Sequence, residues 1–213
     1  ERIGIFGKVM QAEDIGYQIA PSINATGRLG EPDKAVRLLL SDNDEEVDRL
    51  ADEVVGFNRR RRELGESAWD RLLPEARRSY EELESKFIVI RDEELHRGIT
   101  GLLAGRLART FNVPAAVITA FDGRAVGSIR SARGLGATAL LGRLESMLTD
   151  WGGHDAAAGF SLPAADLDPF LVRFAEVVRD LELDEQEEPK ISIDAGLPLD
   201  YLTPDLESVV QRM

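Results

Sequence analysis

The sequence contains no cysteine and only two histidines, His96 and His154. Without cysteine there is no disulfide, no thiolate metal site and no cysteine nucleophile, and the chain suits a reducing cytoplasm. The histidines are too far apart for a local two-histidine metal motif, and no Asp/His set has the spacing of a two-metal phosphoesterase. No serine occupies a G-x-S-x-G elbow. No apolar run is long enough to span a bilayer, no signal-peptide pattern opens the chain, and neither repeats nor low-complexity tracts are present. No membrane partner is expected. What remains is 213 residues, 43% hydrophobic and 31% charged, enough for one large globular domain or one domain plus part of another. Both ends are expected to be cut from a longer protein, since the chain starts at Glu1 without an initiator Met.

Net charge is -13, which taken alone opposes a polyanionic partner. Its distribution works the other way. Between residues 96 and 143 stand Arg97, Arg106, Arg109, Arg124, Arg130, Arg133 and Arg143, with Asp122 the single acid. A basic centre between acidic flanks is compatible with a local anion site, and equally with ordinary surface charge.

The stretch 124–162 concentrates this chemistry. A strand-like run at 125–129 leads to Arg130 and Arg133, then a Gly-punctuated helix start, then Gly152-Gly153-His154 and the small residues 156–159. Where a strand passes to a helix through Gly and Ser, free backbone N–H groups can face an anion and a nearby arginine can grip it. The same residues also read as a tight turn beside a solvated face. Gly134-Leu135-Gly136-Ala137-Thr138-Ala139 has the outline of a dinucleotide loop, but the acid that would bind ribose is missing after the next strand.

Along the chain, Pro21, Gly27 and Gly30 predict an irregular segment over 17–30, displaying Asn24, Thr26 and Arg28. A helix is predicted from Pro32 to Leu40, followed by acids at 42–46 that suit a helix start. The period of Val47, Leu50, Val54, Phe57, Leu64, Ala68 and Leu72 predicts a helix of about 29 residues, broken by Pro74 and followed by a short helix to residue 84. Its basic turn Asn58-Arg59-Arg60-Arg61-Arg62 reads as a solvated face paired with Glu63 and Glu66. Beyond residue 86, strands are expected at 87–91, 113–120, 125–129 and 157–162. Helices are expected at 96–110, 136–149 and 166–183. This alternation predicts an α/β domain with a largely parallel or mixed sheet flanked by helices. Another strand is expected to start at 190.

Four segments, IAPSINATGRLGEP, HRGITGLLAGRL, GSIRSARG and WGGHDAAAGF, occur in this order around a long helix. The chain thereby resembles the RecJ single-strand-specific exonucleases of the DHH phosphoesterase superfamily, from about Ile19 to Ile191. The resemblance implies that residues 1–42 end a DHH catalytic domain, 43–84 form the connecting helix and a short helix, 85–184 form the DHH-associated domain, and 185–213 begin an oligonucleotide-binding fold. It implies single-stranded DNA as partner, digestion from the 5′ end in repair and recombination, other repair proteins as further partners, and a cytoplasmic location. The Mg or Mn cofactors would be held by ligands upstream of Glu1, leaving no metal ligand here and an isolated chain that does not hydrolyse DNA. Asn24 and Arg28 match the segment facing the reacting phosphate, where an arginine stabilises transition-state charge. Ser128, Arg130 and Ser131, with Gly152, Gly153 and His154 in a Gly-Gly-His loop, are implied to grip backbone phosphates. Typical members carry proline after His96, whereas here it is Arg97. Two alternatives stay open: a DHH-type phosphodiesterase of short oligonucleotides or cyclic dinucleotides, and a non-catalytic repair scaffold.

Overall fold

A computed structural model describes residues 2–185, 193 and 195–210. The N-terminal third is helical. A three-residue helix α1 (Ala12–Asp14) and a π-helical turn (Ile15–Ile19) run into α2 (Ala20–Arg28), then α3 (Pro32–Leu40) and α4 (Asp44–Glu82). The irregular segment expected over 17–30 is therefore a helix. Pro21 follows directly on the π-helical turn, where Ala20 N–H donates to Ile15 O, so the ring is accommodated at an irregular junction within the helical run. Gly30, at φ +89°, lies just past the end of the helix, in the left-handed conformation that suits glycine.

Helix α4 runs for 39 residues, ~58 Å at 1.5 Å per residue. Asn43 caps it, its side chain accepting from the Glu46 N–H at 2.9 Å, and Asp44, Glu45 and Glu46 complement the helix dipole in the first turn. The break expected at Pro74 does not occur. Pro74 is exposed and Asp70, whose carbonyl loses its partner, is exposed too, so water can satisfy the freed group. Leu72 and Ala76, both fully buried on the opposite side, hold the axis in place.

The remainder is a five-stranded mixed sheet of order β1-β2-β3-β5-β4. The strands are β1 (Ile88–Arg91), β2 (Ala115–Phe121), β3 (Arg124–Arg130), β4 (Asp150–His154) and β5 (Ala157–Pro163). β1 and β2 are parallel, joined by a 3-10 turn (Arg97–Ile99) and α5 (Thr100–Phe111); every other pairing is antiparallel. The helix expected at 136–149 shortens to α6 (Ala137–Gly142) and a 3-10 turn (Glu145–Met147), because Thr149 N–H already donates to Ser161 O at 2.8 Å and opens the β4 pairing. Gly152, Gly153 and His154 thus lie in an edge strand rather than a loop.

Helix α7 (Leu167–Arg179) covers one sheet face through Phe170 and Phe174. Phe87, Phe174, Phe170 and Phe160 form a continuous aromatic run with ring centroids 5.2–5.6 Å apart. The other face is sealed over β1 and β2 by α4 and α5, where Ile88, Ile90, Ala115 and Val117 meet Leu72, Leu103 and Leu107. A 3-10 turn (Leu199–Tyr201) and α8 (Pro204–Val210) follow with no buried residue. The strand expected from residue 190 falls almost wholly outside the described residues. Among the described residues, no helix is long and apolar enough to cross a membrane.

Candidate nucleic-acid interface

Because paired residues on adjacent strands point to the same face, the sheet register sets out the site. Ser128 aligns with Gly159 and Gly152, and Arg130 aligns with Ala157 and His154. These two rows share a face with the sealed Ala115 and Val117. Here α5 lies along the β3 end of the rows only, and no described helix covers their β5 and β4 part. Gly152, Gly159 and His154 are exposed, and Ala157, Ser128 and Arg130 are half-buried. The result is a shelf floored by residues with almost no side chain, two strand spacings wide, or about 10 Å.

One wall of the shelf is α5. Arg130 crosses this helix over Gly101 and Gly105: a Cβ on Gly101 would sit 2.7 Å from Arg130 Nη2, and one on Gly105 3.7 Å from its Cγ. The guanidinium is placed close to the positive, N-terminal end of α5, and Nη1 donates to the Ile129 carbonyl at 2.9 Å. Burial, and then the charge of Arg28, push the Arg130 pKa below its ordinary value. Among the described residues no carboxylate pairs with Arg28 or Arg130, whereas Arg71 and Arg91 on the outer surface each have two acidic partners.

The end of α2 lies against the Arg97–Ile99 turn that leads into α5. Arg28 Nη1 donates to the Gly98 carbonyl at 3.4 Å. In return Gly98 packs so closely that a Cβ there would lie 1.8 Å from the Arg28 carbonyl oxygen. A cleft of about 480 Å³ opens between them, lined by Arg28, His96, Gly98, Thr100 and Ser128 among others. Thr100 Oγ1 and Ser128 Oγ are 3.0 Å apart. His96 Nδ1 accepts from the Gly98 N–H at 3.1 Å, so the neutral ring carries its proton on Nε2 as a donor. The interaction of His154 Nδ1 with the Ala156 N–H, at 3.3 Å, sets the same tautomer.

The structure brings Arg28, Ser128 and Arg130 together, and sets Gly152, Gly153 and His154 across the shelf from them. Asn24 is exposed one turn before Arg28 and lines an adjoining cleft of about 560 Å³ shared with Arg28. Ser131 has its hydroxyl donated to the Leu135 carbonyl. The expected free N–H groups after β3 are taken: Ser131 N–H donates to Ala156 O and Ala137 N–H to Asp155 O. Arg133 turns away to the Asp184 carbonyl at 2.7 Å. Gly98, Gly101 and Thr100 escaped the sequence reading; their role is close approach, which only the fold reveals.

The fold and site are those of an α/β unit: a mixed sheet behind a long helix, with an open shelf beside Arg28 and Arg130, which have no acidic partner among the described residues. Residues 84–180 match the DHHA1 domain family. The chain is 36% identical over 190 residues to the single-stranded-DNA-specific exonuclease RecJ of Thermus thermophilus, covering 86% of this chain and 27% of that protein. It is 30% identical to RecJ of Bacillus subtilis, covering 93% of this chain and 25% of the relative. The crystal structure of Thermus thermophilus RecJ in complex with Mg2+ superposes with a TM-score of 0.77 at 32% identity, over 99% of this chain and 32% of that one. The chain is a homologue of the RecJ exonucleases and carries their DHHA1 domain. It spans about a quarter of the length of these curated relatives.

A divalent metal does not fit the residues of this cleft. Among the described residues no three His, Asp or Glu side chains converge, and the charged side chains lining the cleft are Arg28 and Arg97, which repel a cation.

Proposed function

We propose that this chain is the phosphate-gripping part of a RecJ-type 5′-to-3′ exonuclease acting on single-stranded DNA in repair and recombination, in the cytoplasm. The observation that carries the reading is that Arg28 lines an open cleft with Ser128, while Arg130, on the same strand as Ser128, lies over α5, and neither arginine has an acidic partner among the described residues. In this reading residues 1–42, 43–84, 85–184 and 185–213 correspond to the catalytic-domain tail, the connecting helices, the DHH-associated domain and the start of an oligonucleotide-binding fold. The Mg or Mn centre is supplied by residues other than these, and the chain alone does not hydrolyse DNA.

The backbone of the DNA lies along the Ala157/Gly159/Gly152 floor, where no side chain obstructs it. Arg130 and Ser128 hold a phosphate from one wall, and His154 donates from the far edge through Nε2–H. Ser131 and Gly153 shape the two ends of this run. Arg28, with Asn24 beside it, faces the phosphate that reacts; its planar fork can donate two hydrogen bonds to non-bridging oxygens as charge builds there. Other repair proteins are further partners in this reading.

The test is titration of a 5′-phosphorylated single-stranded oligonucleotide with the purified chain at several salt concentrations. Arg130→Ala is expected to weaken binding by about tenfold or more, as for a hydrogen bond to a charged group, and to lower the slope of log K against log salt by ~0.7. His154→Ala is expected to weaken it less. Absence of binding by the intact chain at low salt would overturn the reading in favour of a scaffold.

A further inference from the structure

A second cation lines the cleft besides Arg28. Arg97 is the first residue of the 3-10 turn before α5, and it borders the cleft together with Arg28, Thr100 and Ser128. Its backbone is fixed there. Thr100 Oγ1 donates to the Arg97 carbonyl at 2.9 Å and lies 3.0 Å from Ser128 Oγ. The side chain is steadied as well: its guanidinium stands over the ring of Phe121, 5.5 Å from the centroid. Such stacking holds the planar fork in place and leaves its N–H groups open to an acceptor. Among the described residues no carboxylate pairs with Arg97, and the residue is exposed.

The sheet register locates this cation. Phe121 aligns with Arg124, four residues before Ser128 on β3, and residues two apart share a face. At about 3.4 Å per residue the Phe121 row lies ~14 Å beyond the Ser128 row, on the side away from the Arg130 row. Arg124 at the same end donates to Ser161 Oγ at 2.7 Å and likewise has no carboxylate partner among the described residues. Unpaired cations are thus spread along this face on both sides of Ser128. That distribution suits an extended polyanion better than a single phosphate group. A stacked arginine with a structural role looks different here: Arg106 lies over Trp69, 4.0 Å from the ring centroid, and is neutralised by Glu66 at 3.1 Å.

We propose that Arg97 is a phosphate-binding residue of this cleft, which holds the phosphate of a nucleotide neighbouring the one at Arg28 and Ser128 and so lengthens the DNA path. The inference rests on the cleft being a DNA-backbone site. Typical RecJ exonucleases carry proline at this position, so the contact belongs to this chain rather than to the family in general.

The test is titration of a 5′-phosphorylated single-stranded oligonucleotide, at several salt concentrations, with the chain carrying Arg97→Gln, Arg97→Lys, Arg97→Pro or Arg130→Ala. Neutralising a cation that touches a phosphate lowers the slope of log K against log salt by ~0.7. Arg97→Gln is expected to show that loss with about fivefold weaker affinity, as for an exposed ion pair, and Arg97→Lys to keep the parent slope. Arg97→Pro suits the first position of the turn, since His96 before it is already extended at φ -69° and ψ 126°. It is expected to match the glutamine variant, and it takes that variant's place if glutamine prevents folding. A neutral variant that folds and keeps the parent slope overturns the inference, and so does a lysine variant that loses it. If Arg130→Ala lowers the slope while the Arg97 variants leave it unchanged, the inference about Arg97 fails and the cleft stands; if no variant lowers it, the cleft reading fails as well.

Discussion

Over β1 and β2, the face carrying Ile88, Ile90, Ala115 and Val117 is closed by α4 and α5, whereas over β5 and β4 the same face carries Ala157, Gly159, Gly152 and His154 and stays open, with Ser128 and Arg130 of β3 at the boundary beside α5. One backbone lattice supports both. The difference lies in what projects from it: branched side chains that must leave water on one half, and side chains too small to form a core on the other. The arginines divide in the same way. Arg71 and Arg91 on the outer surface are neutralised by carboxylates, while Arg28 and Arg130 near the boundary have no such partner among the described residues. A surface evolved merely for solubility would place acids near these cations, given 39 acidic residues to draw on.

The largest effect is expected on the opposite sheet face, the one that α7 covers. Phe174→Ala removes a ring from the aromatic run under α7 and is expected to cost about 3–5 kcal/mol in denaturant unfolding, with the affinity of the folded fraction for DNA unchanged. A smaller loss is expected from Gly98→Ala, whose new methyl meets the Arg28 carbonyl. We expect about 1–3 kcal/mol together with weaker DNA binding, because α2 and the Arg97–Ile99 turn must separate and carry Arg28 away.

Gly159→Leu sharpens the contrast. Its Cβ finds only ordinary contact, 3.7 Å from Gly127 O, so stability should stay within about 0.5 kcal/mol as for most exposed positions. The side chain nevertheless stands on the shelf floor, and oligonucleotide affinity is expected to fall about tenfold, or ~1.4 kcal/mol. Arg71→Gln, on the neutralised outer surface, is expected to cost no more than about 1 kcal/mol and to leave both affinity and salt slope intact.

The smallest effect is on pH dependence. Lys34 holds Glu53 below the ordinary carboxylate range, and Ser41 with Arg37 does so for Glu46. A folded-state pKa below the unfolded one gives stability that is present above the unfolded value and lost as pH falls through the folded one. Acid unfolding of Lys34→Met should therefore begin at slightly higher pH than in the parent chain. Because these groups are solvent-accessible, raised salt should narrow the gap.

Much of the architecture was readable in the order of residues. Apolar period marked α4, α5 and α7, and β-branched runs marked β1, β2 and β3, because a helix or strand that buries one face must repeat its apolar residues at 3.6 or 2 positions. Local signals misled where tertiary packing outweighed them. Pro74 did not end α4, since Leu72 and Ala76 hold the helix against the sheet. Pro21 and Gly27 did not prevent α2, since one falls at the π-helical junction and the other near the end. The Gly-Gly-His segment became an edge strand because Gly159 and Ala158 offered it pairing partners.

The sequence by itself determined only candidates for holding a phosphate: Arg28, Ser128, Arg130 and His154, singled out by residue type and by the family resemblance. Only the tertiary structure decided that Arg28 and Ser128 share a cleft, and that Arg133 and the Ser131 hydroxyl are engaged elsewhere. The physical reason is range. Propensity and period act over a few residues along the chain, whereas the field at an arginine depends on every charge and every excluded water within several ångströms, whatever the separation in sequence.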